Sequence, residues 1–597
     1  MKRFTADFET TTDKNDCRVW AFGLSEIGNH ENFIYGNSID EFMEFCESSK
    51  ENLICYFHNL KFDGSFILSY LLSNDFKFIE NKKYKEDKTY TTLITDMGIF
   101  YAIEVYFKVK KYHVKKVTFY DSLKILNFSV EQIAKDFNLP ISKLTLDYKK
   151  KREKGHILTK DEIEYIKNDV VIMSMALDIM FKNNLTKMTI GSDALSDYKS
   201  RNKEFKKYFP ELPSDVDEEI RKSYKGGFTY LNPKYKEKQV GKGIVLDVNS
   251  MYPAKMKNEK LPYGEPIFFE GKYKTDKIYD LYIITFICSF KLKKNKIPSI
   301  QIKKSPFYKD NEYIEKSNGL TTLTLTSIDF DLFLENYEVF DIEYLGGFKF
   351  KSMRGLFDSY IDYWTLSKIN AKKEGNSSMY RISKLLLNSL YGKFATSTNN
   401  EIKKPYLDNE GVLKWQLIKG EERKSIYTAM ASFITSYARS YIIKSSEKIR
   451  DWSLNKYGED YWIYNDTDSI HFLYQNKEED LKDLSSFLDI DDYKLGAWKP
   501  ESFFDRGSYI RQKCYIEEYE GKLNVVIAGF PKYLAPIMTF EDFKIGFSTF
   551  NMSLSDLKDK ARKNGASEEE LERIHHKLRY NYVKGGVILE DTDFTIK

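Results

Sequence analysis

The stretch YWIYNDTDSIHFL, residues 461–473, joins a β-strand pattern to two acids, Asp466 and Asp468. Alternate side chains of a strand point to the same face, so the sequence predicts that both carboxylates lie on one face of a single strand. An Asp-Thr-Asp triplet alone is weak evidence, because turns often contain it. Its place inside an apolar β pattern is unusual, and it favours an acid pair with a chemical role.

A second strand pattern, far upstream, carries another acid. Ile244–Val248 is apolar apart from Asp247, and a turn before Pro253 follows it. Aspartates from two adjacent strands can hold two Mg²⁺ ions against a triphosphate. The two patterns together therefore predict a site at which metal-bound phosphates react.

Between these strands, the stretch KLLLNSLYG at residues 384–392 has helical spacing. Lys384, Asn388 and Tyr391 fall at i, i+4 and i+7, on one helical face. That face offers a cation for phosphates, an amide and an aromatic ring for a base. A plain buried helix with Leu385–Leu387 in the core is the alternative. Both interpretations can hold, because the leucines occupy the other faces.

The first strand pattern of the chain ends in a separate acid pair, Asp7 and Glu9, on either side of Phe8. Two carboxylates on one strand face repel each other unless a cation lies between them, and a divalent metal is the usual cation for oxygen ligands. We expect Phe8 to point into the core. Asp63 follows the strand pattern Leu53–Phe57 and begins a helix, where the helix dipole favours an acid. A plain N-cap is the alternative for that residue.

Asp169 lies four residues after Tyr165 on a long helical pattern, so both side chains can face one site. A surface pair is the simpler explanation of Tyr-x₃-Asp taken alone. The ordered set of Asp-x-Glu on a strand, an acid at a helix start and Tyr-x₃-Asp on a helix is far more specific. Four acids with two metals and a water-positioning tyrosine make a phosphodiesterase site, in which one metal activates water and the other stabilises the leaving oxygen.

Composition narrows the functional class. Of 597 residues, 93 are Lys or Arg and 89 are Asp or Glu, and the net charge of +4 excludes a polycationic packaging protein. Hydrophobic residues at 42% and charged residues at 30% indicate folded domains rather than disorder. The five cysteines have no C-x₂-C spacing, which argues against a structural zinc site and a disulfide framework. The N-terminus does not fit a signal peptide, and no apolar run reaches about 18 residues, so we expect no membrane span.

Periodicity predicts an α/β unit over about the first 190 residues and a β-rich stretch after Tyr252. The strand patterns are Lys2–Phe8, Arg18–Ser25, Leu53–Phe57, Val117–Tyr120, Ile267–Phe269, Tyr282–Phe290 and Ser299–Ile302. The helix patterns run from Thr159 to about Lys182, over Leu356–Lys373, over Met379–Tyr391 and over a charged segment, Ser553–Tyr580, that is broken at Asn564-Gly565. Turn formers between Pro405–Leu407 and Val412–Ile418 predict a β-hairpin within Ser397–Tyr427.

Three motifs carry a resemblance to a known family. D-x₂-S-x-Y-P from Asp247, K-x₃-N-S-x-Y-G from Lys384 and D-T-D from Asp466 follow the N-terminal acid set in the order found in family B DNA polymerases. Further stretches resemble the protein-primed branch of that family: Cys17–Trp20, Tyr224–Phe228, Arg511–Tyr515, Gly585–Val587 and Thr592–Lys597. The resemblance covers nearly the whole chain.

The resemblance implies an α/β and α+β multidomain fold, in which a ribonuclease H-like 3′–5′ exonuclease domain precedes a right-hand polymerase domain of palm, fingers and thumb. The implied divisions are 1–189 exonuclease, 190–258 first part of the palm, 259–355 an insertion that docks a terminal protein, 356–395 fingers, 396–427 an insertion for processivity and strand displacement, 428–527 second part of the palm, and 528–597 thumb. Cys514 and the long segment Ser553–Tyr580 depart from the family pattern, which leaves the thumb geometry open but not the chemistry.

The resemblance also implies roles for individual residues. The exonuclease metals would be bound by Asp7, Glu9, Asp63 and Asp169, with Tyr165 and Lys143 assisting catalysis. A single-stranded 3′ end would be held by Thr10, Asn59, Phe62, Phe66, Ser122 and Leu123. The polymerisation metals would be bound by Asp247, Val248 and Asp468, with Asp466 in support, and the nucleotide by Tyr252, Lys368, Lys384, Asn388, Tyr391 and Gly392. The DNA contacts would be Tyr224, Gly226, Gly227, Arg511, Lys513 and Tyr515.

The expected function is DNA-directed DNA synthesis on a linear viral genome by protein priming, with proofreading and intrinsic strand displacement. The implied cofactor is Mg²⁺, two ions per active site, with Mn²⁺ able to substitute. The implied partners are primer–template DNA, its single-stranded 3′ end, dNTPs and a terminal protein, and the chain would act as a monomer, away from membranes, in the cytoplasm of an infected bacterial host. One alternative is an exonuclease or nucleic-acid-binding scaffold with an inactive palm, against which Asp247, Asp468, Lys384 and Tyr391 argue. A reverse transcriptase would lack the upstream acid set.

Overall fold

The computed structural model describes residues 1–110, 113–147 and 150–597 of the chain. In this part of the chain the strands form one eight-stranded, one five-stranded and two four-stranded sheets, with two separate hairpins. None of the described helices has the length and apolar character needed to cross a membrane. The five cysteines are buried free thiols.

The N-terminal unit is a mixed eight-stranded sheet covered by helices. Its elements are β1 (Lys2–Thr10), β2 (Val19–Glu26), β3 (Asn29–Gly36), α1 (Ile39–Ser48), β4 (Leu53–Phe57), α2 (Leu60–Ser73), β5 (Lys77–Phe78), β6 (Thr89–Ile94), β7 (Phe100–Lys110), β8 (His113–Asp121), α3 (Val130–Asp136) and α4 (Lys160–Lys182). The strand order is β3-β2-β1-β4-β8-β7-β6-β5, and β1, β4 and β8 run parallel at its centre. Helices cover these central strands, so residues of β1 are largely removed from water. The predicted strands and the long helix after Thr159 are confirmed, with ends that shift by up to four residues.

Residues 190–258 lead from this unit into a second sheet. The elements are α5 (Ile190–Arg201), α6 (Phe205–Tyr208), α7 (Ser214–Arg221), β9 (Phe228–Leu231), β10 (Lys238–Val240), β11 (Gly243–Val248) and α8 (Met251–Asn258). β11 is the predicted strand that carries Asp247, and α8 begins where the turn before Pro253 was predicted. Ser250 adopts a left-handed φ of 50° at this turn, which lets the chain leave the strand and begin α8 at once.

The β-rich stretch forms a sheet of its own. It contains β12 (Leu261–Glu270), β13 (Leu281–Leu292), β14 (Thr321–Thr326), α9 (Ser327–Asn336) and β15 (Tyr337–Met353), in the strand order β12-β15-β13-β14. The strand predicted at Ser299–Ile302 is wrong. Pro298 offers no backbone donor, and the Ser299 amide donates to the Tyr337 hydroxyl at 2.9 Å, so this segment is held by a side chain and not by a β ladder.

Residues 358–457 supply the long helices and a hairpin. The elements are α10 (Asp358–Lys373), α11 (Ser377–Phe394), β16 (Glu401–Leu407), β17 (Leu413–Lys419) and α12 (Thr428–Tyr457). Both predicted helices and the predicted hairpin are confirmed; in its turn, the Gly411 amide donates to the Asp408 carbonyl at 2.9 Å. The hairpin packs on the N-terminal unit, where Leu413 is 1% exposed within that unit's core.

The remaining elements complete the second sheet and add another. They are β18 (Trp462–Thr467), β19 (Ser469–Leu473), α13 (Lys477–Leu484), β20 (Trp498–Phe504), β21 (Arg506–Arg511), β22 (Cys514–Tyr519), β23 (Lys522–Ile527), α14 (Leu554–Lys563), α15 (Glu568–Arg573), β24 (Lys577–Val583) and β25 (Gly586–Thr592). The five-stranded sheet has the order β20-β11-β19-β18-β9, and a four-stranded sheet follows as β10-β21-β22-β23. Helix α12 packs on the five-stranded sheet, where Ile442 and Trp462 share one core.

The C-terminal segment is helical only in its first part. The predicted break at Asn564-Gly565 is confirmed, since Gly565 has a left-handed φ of 86° between α14 and α15. The prediction of helix up to Tyr580 is wrong, because α15 ends at Arg573 and β24 begins at Lys577. The sequence from Leu578 to Val583 is rich in tyrosine and alternates in character, which suits a strand paired with β25.

Candidate active sites

The first acid pair lies on β1 as the strand alternation predicts. Phe8 points into the core, where its ring packs edge-on against Phe42 and Phe57 at centroid distances of 4.9 and 5.0 Å. Asp7 and Glu9 occupy the opposite face. Glu9 is only 5% exposed although it is an acid. The central position of β1 thus holds two carboxylates in a nearly water-free environment.

Two helices bring further acids to this face. Asp63 lies in the first turn of α2, and its Oδ1 accepts a hydrogen bond from the Phe8 amide at 3.2 Å. Asp169 lies on α4, and Lys143 Nζ donates to its Oδ2 at 2.7 Å. Tyr165, one turn earlier on α4, is 2% exposed beside it. One strand and two helices therefore bring together all four predicted acids with Tyr165 and Lys143.

Burial dominates the electrostatics of this cluster. It raises the pKa of Asp7 to about 7, with Asp169 adding to the rise and Lys143 opposing it. Burial and the charge of Asp7 also hold the pKa of Glu9 and that of Asp63 well above their ordinary values. Burial raises the pKa of Asp169 too, and Lys143 acts against that rise. A single lysine does not balance four acids, so the side chains alone do not keep the cluster ionised.

The donor set of this cluster fits a divalent cation in its chemistry. Asp169 Oδ1 is buried and accepts no hydrogen bond from the described residues, so an oxygen ligand is left without a partner. Carboxylate oxygens are the ligands that Mg²⁺ prefers. In the described chain, however, no three Asp, Glu, His or Cys side chains converge closely enough to form a finished ion site.

The residues predicted to hold a 3′ end surround the start of α2. Asn59 precedes the helix with a left-handed φ of 84°. The rings of Phe62 and Phe66 lie 5.6 Å apart. Phe62 and Thr10 are half-buried, whereas Phe66 is 1% exposed because Gly586 covers it. Asn59, Phe62 and Thr10 are therefore accessible to a ligand, while Phe66 supports them from the core.

Asp121, at the end of β8, fixes the adjoining turn, a role that sequence reasoning missed. Its Oδ1 accepts hydrogen bonds from the backbone amides of Asn59 and Leu123, each at 3.1 Å. Ser122 is fully buried, and its hydroxyl donates to the Phe57 carbonyl at 3.0 Å. Ser122 thus links the ends of the neighbouring parallel strands β4 and β8. The available signal was an acid placed directly after a predicted strand.

The Asp-Thr-Asp triplet forms the tight turn between β18 and β19, so the prediction of one continuous strand is wrong. Thr467 adopts a left-handed φ of 65°, and the Asp468 amide donates to the Asp466 carbonyl at 2.7 Å. Because the chain reverses at this turn, the residues before it form β18 and those after it form β19, and both strands belong to the same sheet. Ser469 on β19 lies opposite Asp247 on one side and Asp466 on the other. The three acids therefore meet at one end of the five-stranded sheet.

These acids line an open cavity of about 650 Å³. Burial raises the pKa of Asp247 to about 8; Asp468 and Glu501 add to the rise and Lys384 opposes it. Burial also raises the pKa of Asp468. Glu501, on β20, was missed because its strand gave no local signal. The Val248 side chain has no donor atom, so the predicted metal ligand at this position would be its carbonyl oxygen.

Helix α11 presents a polar face and an apolar face, as both interpretations of its sequence require. Lys384, Asn388 and Gly392 are exposed on one side. Leu386 and Leu387 lie in the core on the other. The charge of Lys384 lowers the pKa of Asp247, so this face looks toward the acids of the cavity.

Two tyrosines form a platform between this helix and the cavity. The rings of Tyr252 and Tyr391 stack with centroids 4.1 Å apart and an interplanar angle of 20°. Lys368 Nζ donates to Ser250 Oγ at 3.4 Å at the start of α8. A Cβ on Gly227 would lie 2.9 Å from the Tyr252 hydroxyl, so only glycine fits beside the platform. The two tyrosines and Lys368 therefore bring α8, α10 and α11 together at this position.

The backbone around Gly226 is held by a buried arginine. Arg439 Nη1 donates to the carbonyls of Lys225 and Gly226, each at 2.8 Å, and its guanidinium pairs with Asp329. Tyr224 lies at the start of this segment and is half-buried. Arg439 therefore fixes this segment. Gly227 in the segment lies next to Thr467, the residue at the tight turn between β18 and β19.

The segment from Arg511 to Tyr515 turns back over the cavity. Lys513 has a left-handed φ of 55°, its amide donates to the Tyr464 hydroxyl at 3.0 Å, and its Nζ pairs with Asp466. Tyr515 lines the cavity with Lys513. Arg511 instead donates to the carbonyl of the C-terminal residue at 3.2 Å. Of the three DNA contacts predicted in this segment, Lys513 and Tyr515 thus face the acids, and Arg511 does not.

Comparisons with known proteins agree with this geometry. A family model described as "DNA polymerase type B, organellar and viral" matches residues 45–487. The DNA polymerases of Bacillus phage M2 and Bacillus phage phi29 are 43% and 42% identical to this chain; the alignments cover 100% of this chain and 100% and 99% of theirs. The DNA polymerase of Streptococcus phage Cp-1 is 32% identical over 100% of this chain and 98% of its own.

Solved structures of a relative superimpose over the full length. Phi29 DNA polymerase complexed with primer-template DNA and incoming nucleotide substrates matches with a TM-score of 0.88 at 40% identity, covering 100% of both chains. The same polymerase complexed with single-stranded DNA matches with a TM-score of 0.86. The predicted fold class, an exonuclease domain followed by palm, fingers and thumb, is confirmed. This chain belongs to the organellar and viral type B DNA polymerases.

Proposed function

We propose that this DNA polymerase carries out two reactions at two separate groups of acids. The editing cluster consists of Asp7, Glu9, Asp63 and Asp169, and the palm cluster consists of Asp247, Asp466 and Asp468. The palm cluster would add nucleotides to a primer, and the editing cluster would remove the 3′ nucleotide of the primer. The observation that carries the proposal is that the clusters lie on different sheets, each facing its own cation, Lys143 or Lys513.

Type B DNA polymerases depend on divalent metal ions, and both clusters have suitable oxygen donors. We assign Mg²⁺ to them, with Mn²⁺ able to take its place. The ligands would be the four acids of the editing cluster and, in the palm, Asp247, Asp468 and the Val248 carbonyl. When bound, the ions would activate the attacking oxygen and stabilise charge on the leaving oxygen.

The side chains around the palm cluster would bind and orient the nucleotide. Lys384 and Lys368 are the cations available to the triphosphate. Tyr391 offers its ring to the base, and Tyr252, stacked on it, would lie under the sugar. Lys513 neutralises Asp466 and would hold the primer end. The open cavity of about 650 Å³ in front of the acids supports this arrangement, since a nucleotide and a primer end need space.

In the editing cluster, two residues would act beside the metal ligands. Lys143, hydrogen-bonded to Asp169, would hold that carboxylate in its ionised form. Tyr165 would orient the attacking water. Asn59 and Phe62 would hold the strand end, which the complex of phi29 DNA polymerase with single-stranded DNA supports by analogy.

The remaining assignments follow the phage relatives. The chain would replicate a linear viral genome with a terminal protein as primer, acting as a monomer in the cytoplasm of the infected bacterium. The sheet of β12–β15 would dock the terminal protein, and the hairpin of β16 and β17 would support strand displacement. The primer–template DNA and nucleotides named for the solved phi29 complex support DNA and dNTPs as partners.

The decisive experiment separates the two reactions. Asp468→Ala should abolish nucleotide addition on a primer–template and leave 3′–5′ degradation intact; Asp7→Ala with Glu9→Ala should do the reverse. Losing about 4 kcal/mol of transition-state stabilisation lowers a rate roughly a thousandfold. Each variant is the control for the other, because each keeps one activity. Primer extension by Asp468→Ala at the parent's rate would refute the palm assignment.

A further inference from the structure

A buried carboxylate lies beside the residues that would hold the primer end. Glu517 is on β22, and Tyr515 and Tyr519 lie two residues away on the same face of that strand. Burial opposes ionisation of Glu517, but the neighbouring His471 and several hydrogen-bond donors hold its pKa below the ordinary value. Glu517 is therefore charged in the folded chain, although only 1% of its side chain is exposed.

Donors from two sheets meet at this carboxylate. His471 Nδ1, from β19, donates to Glu517 Oε1 at 2.6 Å, since an ionised carboxylate only accepts hydrogen bonds. The Tyr509 hydroxyl, from β21, donates to the same oxygen at 2.5 Å. The Tyr519 hydroxyl donates to Oε2 and accepts a hydrogen bond from the Ser502 hydroxyl of β20 at 3.2 Å. Glu517 thus joins the five-stranded sheet, which carries the palm cluster, to the four-stranded sheet that contains β22.

The same network reaches the segment of Lys513 and Tyr515. The Tyr515 ring is enclosed by those of His471, Tyr464 and Tyr509, at centroid distances of 5.3, 5.2 and 5.5 Å. The Tyr464 hydroxyl also accepts the hydrogen bond from the Lys513 amide. The position of the His471 ring therefore helps to set the position of Tyr515.

Stability alone does not require a charged pair at this place. Exchanging a buried ion pair for apolar side chains of similar volume is often neutral or stabilising. A satisfied hydrogen-bond network instead restricts its members to one arrangement. Glu517, His471 and Tyr519 line the palm cavity together with Lys513 and Tyr515. The network therefore lies where the position of a primer end matters.

We infer that Glu517 and His471 are positioning residues for nucleotide addition. Neither would touch the reacting atoms; together they would hold Tyr515 and Lys513 where the primer end meets the incoming nucleotide. The inference rests on the proposed function, in which Lys513 and Tyr515 hold the primer end. A small displacement of a reacting group costs a large part of a rate, so the pair would act on the rate of addition and not on nucleotide affinity.

The test removes both partners of the pair in the full chain. His471→Leu with Glu517→Met replaces them with apolar side chains of comparable volume and leaves no unpaired charge. Single-turnover addition to a primer–template, measured over a range of dNTP concentrations, should show a maximum rate roughly tenfold lower. The dNTP concentration at half the maximum rate should stay unchanged, because that affinity would come from Lys384 and Tyr391 of α11. The 3′–5′ degradation of a single-stranded oligonucleotide should also be unchanged.

Further variants separate position from fold. His471→Gln keeps a donor for Glu517 but removes the ring next to Tyr515; it should slow addition in the same way, and it decides the case if the double variant folds poorly. Glu517→Gln keeps an acceptor for His471 Nδ1 and should retain most of the rate. Glu518→Gln changes the next residue, on the opposite face of β22 where it pairs with Arg506, and should match the parent. The inference is overturned if His471→Gln adds nucleotides at the parent's rate, or if addition and degradation slow together.

Tyr515→Leu tests the proposed function in the same assay. It should slow addition, because it removes a side chain that would hold the primer end. Addition at the parent's rate by Tyr515→Leu would contradict the primer-end assignment itself. Slow addition by Tyr515→Leu, together with parent-like rates in the His471 and Glu517 variants, would contradict only the positioning role.

Discussion

The editing cluster and the palm cluster both hold several carboxylates at one point, but they differ in exposure. In the editing cluster, Asp169 is 5% exposed and pairs with Lys143. In the palm, Asp466 pairs with Lys513, whose side chain is 51% exposed beside an open cavity. Water screens the second pair more strongly than the first, in which the Lys143 side chain is 35% exposed and that of Asp169 is 6% exposed. The buried cluster should therefore depend far more on its own cation than the open one.

The sharpest test of this difference removes each lysine in turn. Lys143→Met should lower 3′–5′ degradation on the order of a hundredfold, because it leaves buried acids without a counter-charge in a site that stabilises charge. Lys513→Met should lower nucleotide addition only roughly fivefold, as expected for a solvent-screened pair. Single-turnover rates of both reactions on each variant give the comparison.

The charge itself is isolated by Lys143→Arg, which keeps a cation next to Asp169. That variant should retain most of the degradation rate, and nucleotide addition should be unchanged in both Lys143 variants. Equal losses in the two lysine-to-methionine variants would show that burial does not set the importance of the counter-charge.

Local sequence pattern predicted the elements of both clusters but not all of their contacts. The strand Leu53–Phe57 was predicted to the residue, and the end of the long helix was predicted at about Lys182, because apolar periodicity and flanking polar residues mark them. The Asp-Thr-Asp turn was not, since Thr467 is held in a left-handed conformation by pairing of β19 with two strands. The pairing of β19 with β11 involves residues more than 200 positions apart, so the local sequence does not reveal it.

Long-range contacts account for the other misses. Asp121 binds the amide of Asn59, 62 residues away, and Tyr580 binds the Asn59 side chain across 521 residues. The local sequence around each of these residues shows no motif that predicts the contact. The motif order identified which acids belong together, whereas the contact that the C-terminal hairpin makes with Asn59 became visible only in the folded chain.

The hairpin of β16 and β17 joins the two regions, so its removal tests whether they work independently. The hairpin follows α11 in the sequence and packs on the N-terminal unit. There the Trp415 ring contacts the Phe100 ring at a centroid distance of 5.6 Å. Replacing Thr398–Lys424 with a short glycine linker should leave the filling of short gaps intact. Products made under a competitor trap should shorten on the order of tenfold, because less of the DNA backbone is contacted.

A smaller change provides the control for this deletion. Replacing only the turn residues Asn409–Gly411 with two glycines keeps both strands and their packing, so product length should stay close to that of the parent. Long strand-displacement products from the full deletion would show that the hairpin has no part in synthesis.

The open palm cavity needs a steric element to choose its sugar, since carboxylate groups do not by themselves exclude a 2′-hydroxyl. The ring of Tyr252, stacked on Tyr391, is the bulky group available. Tyr252→Val should raise ribonucleotide incorporation relative to deoxyribonucleotide by about tenfold, the range of a small steric difference. Tyr252→Phe keeps the ring and should leave the ratio unchanged. Competition between rATP and dATP on one template measures it, and an unaltered ratio in Tyr252→Val would remove this role.

The smallest expected effect concerns the stability of the editing side against acid. Burial opposes ionisation of Glu162, but hydrogen bonds from the Thr159 amide, His156 and Arg152 hold its pKa at about 2. A carboxyl whose pKa is lower in the folded state than in the unfolded state stabilises the fold above its ordinary pKa of 4.5 and loses that contribution as the pH falls toward about 2. The guanidinium of Arg152 also lies 4.1 Å from the centroid of the Trp20 ring, so this network joins α4 to β2.

Glu162→Gln should therefore speed hydrogen exchange of the α4 amides at pH 6 relative to the parent, and the difference should fade as the pH falls from about 4.5 to about 2. The matched control is Glu517→Gln in the wall of the palm cavity, where Glu517 Oε1 is 2.6 Å from His471 Nδ1 in a buried pair. That variant should leave exchange in α4 unchanged at every pH, because the palm sheet is a separate unit. A Glu162→Gln difference that grew as the pH fell would mean that the carboxyl destabilises the fold when ionised. The buried network of the editing side would then owe its stability to packing on Trp20 and not to the charge of Glu162.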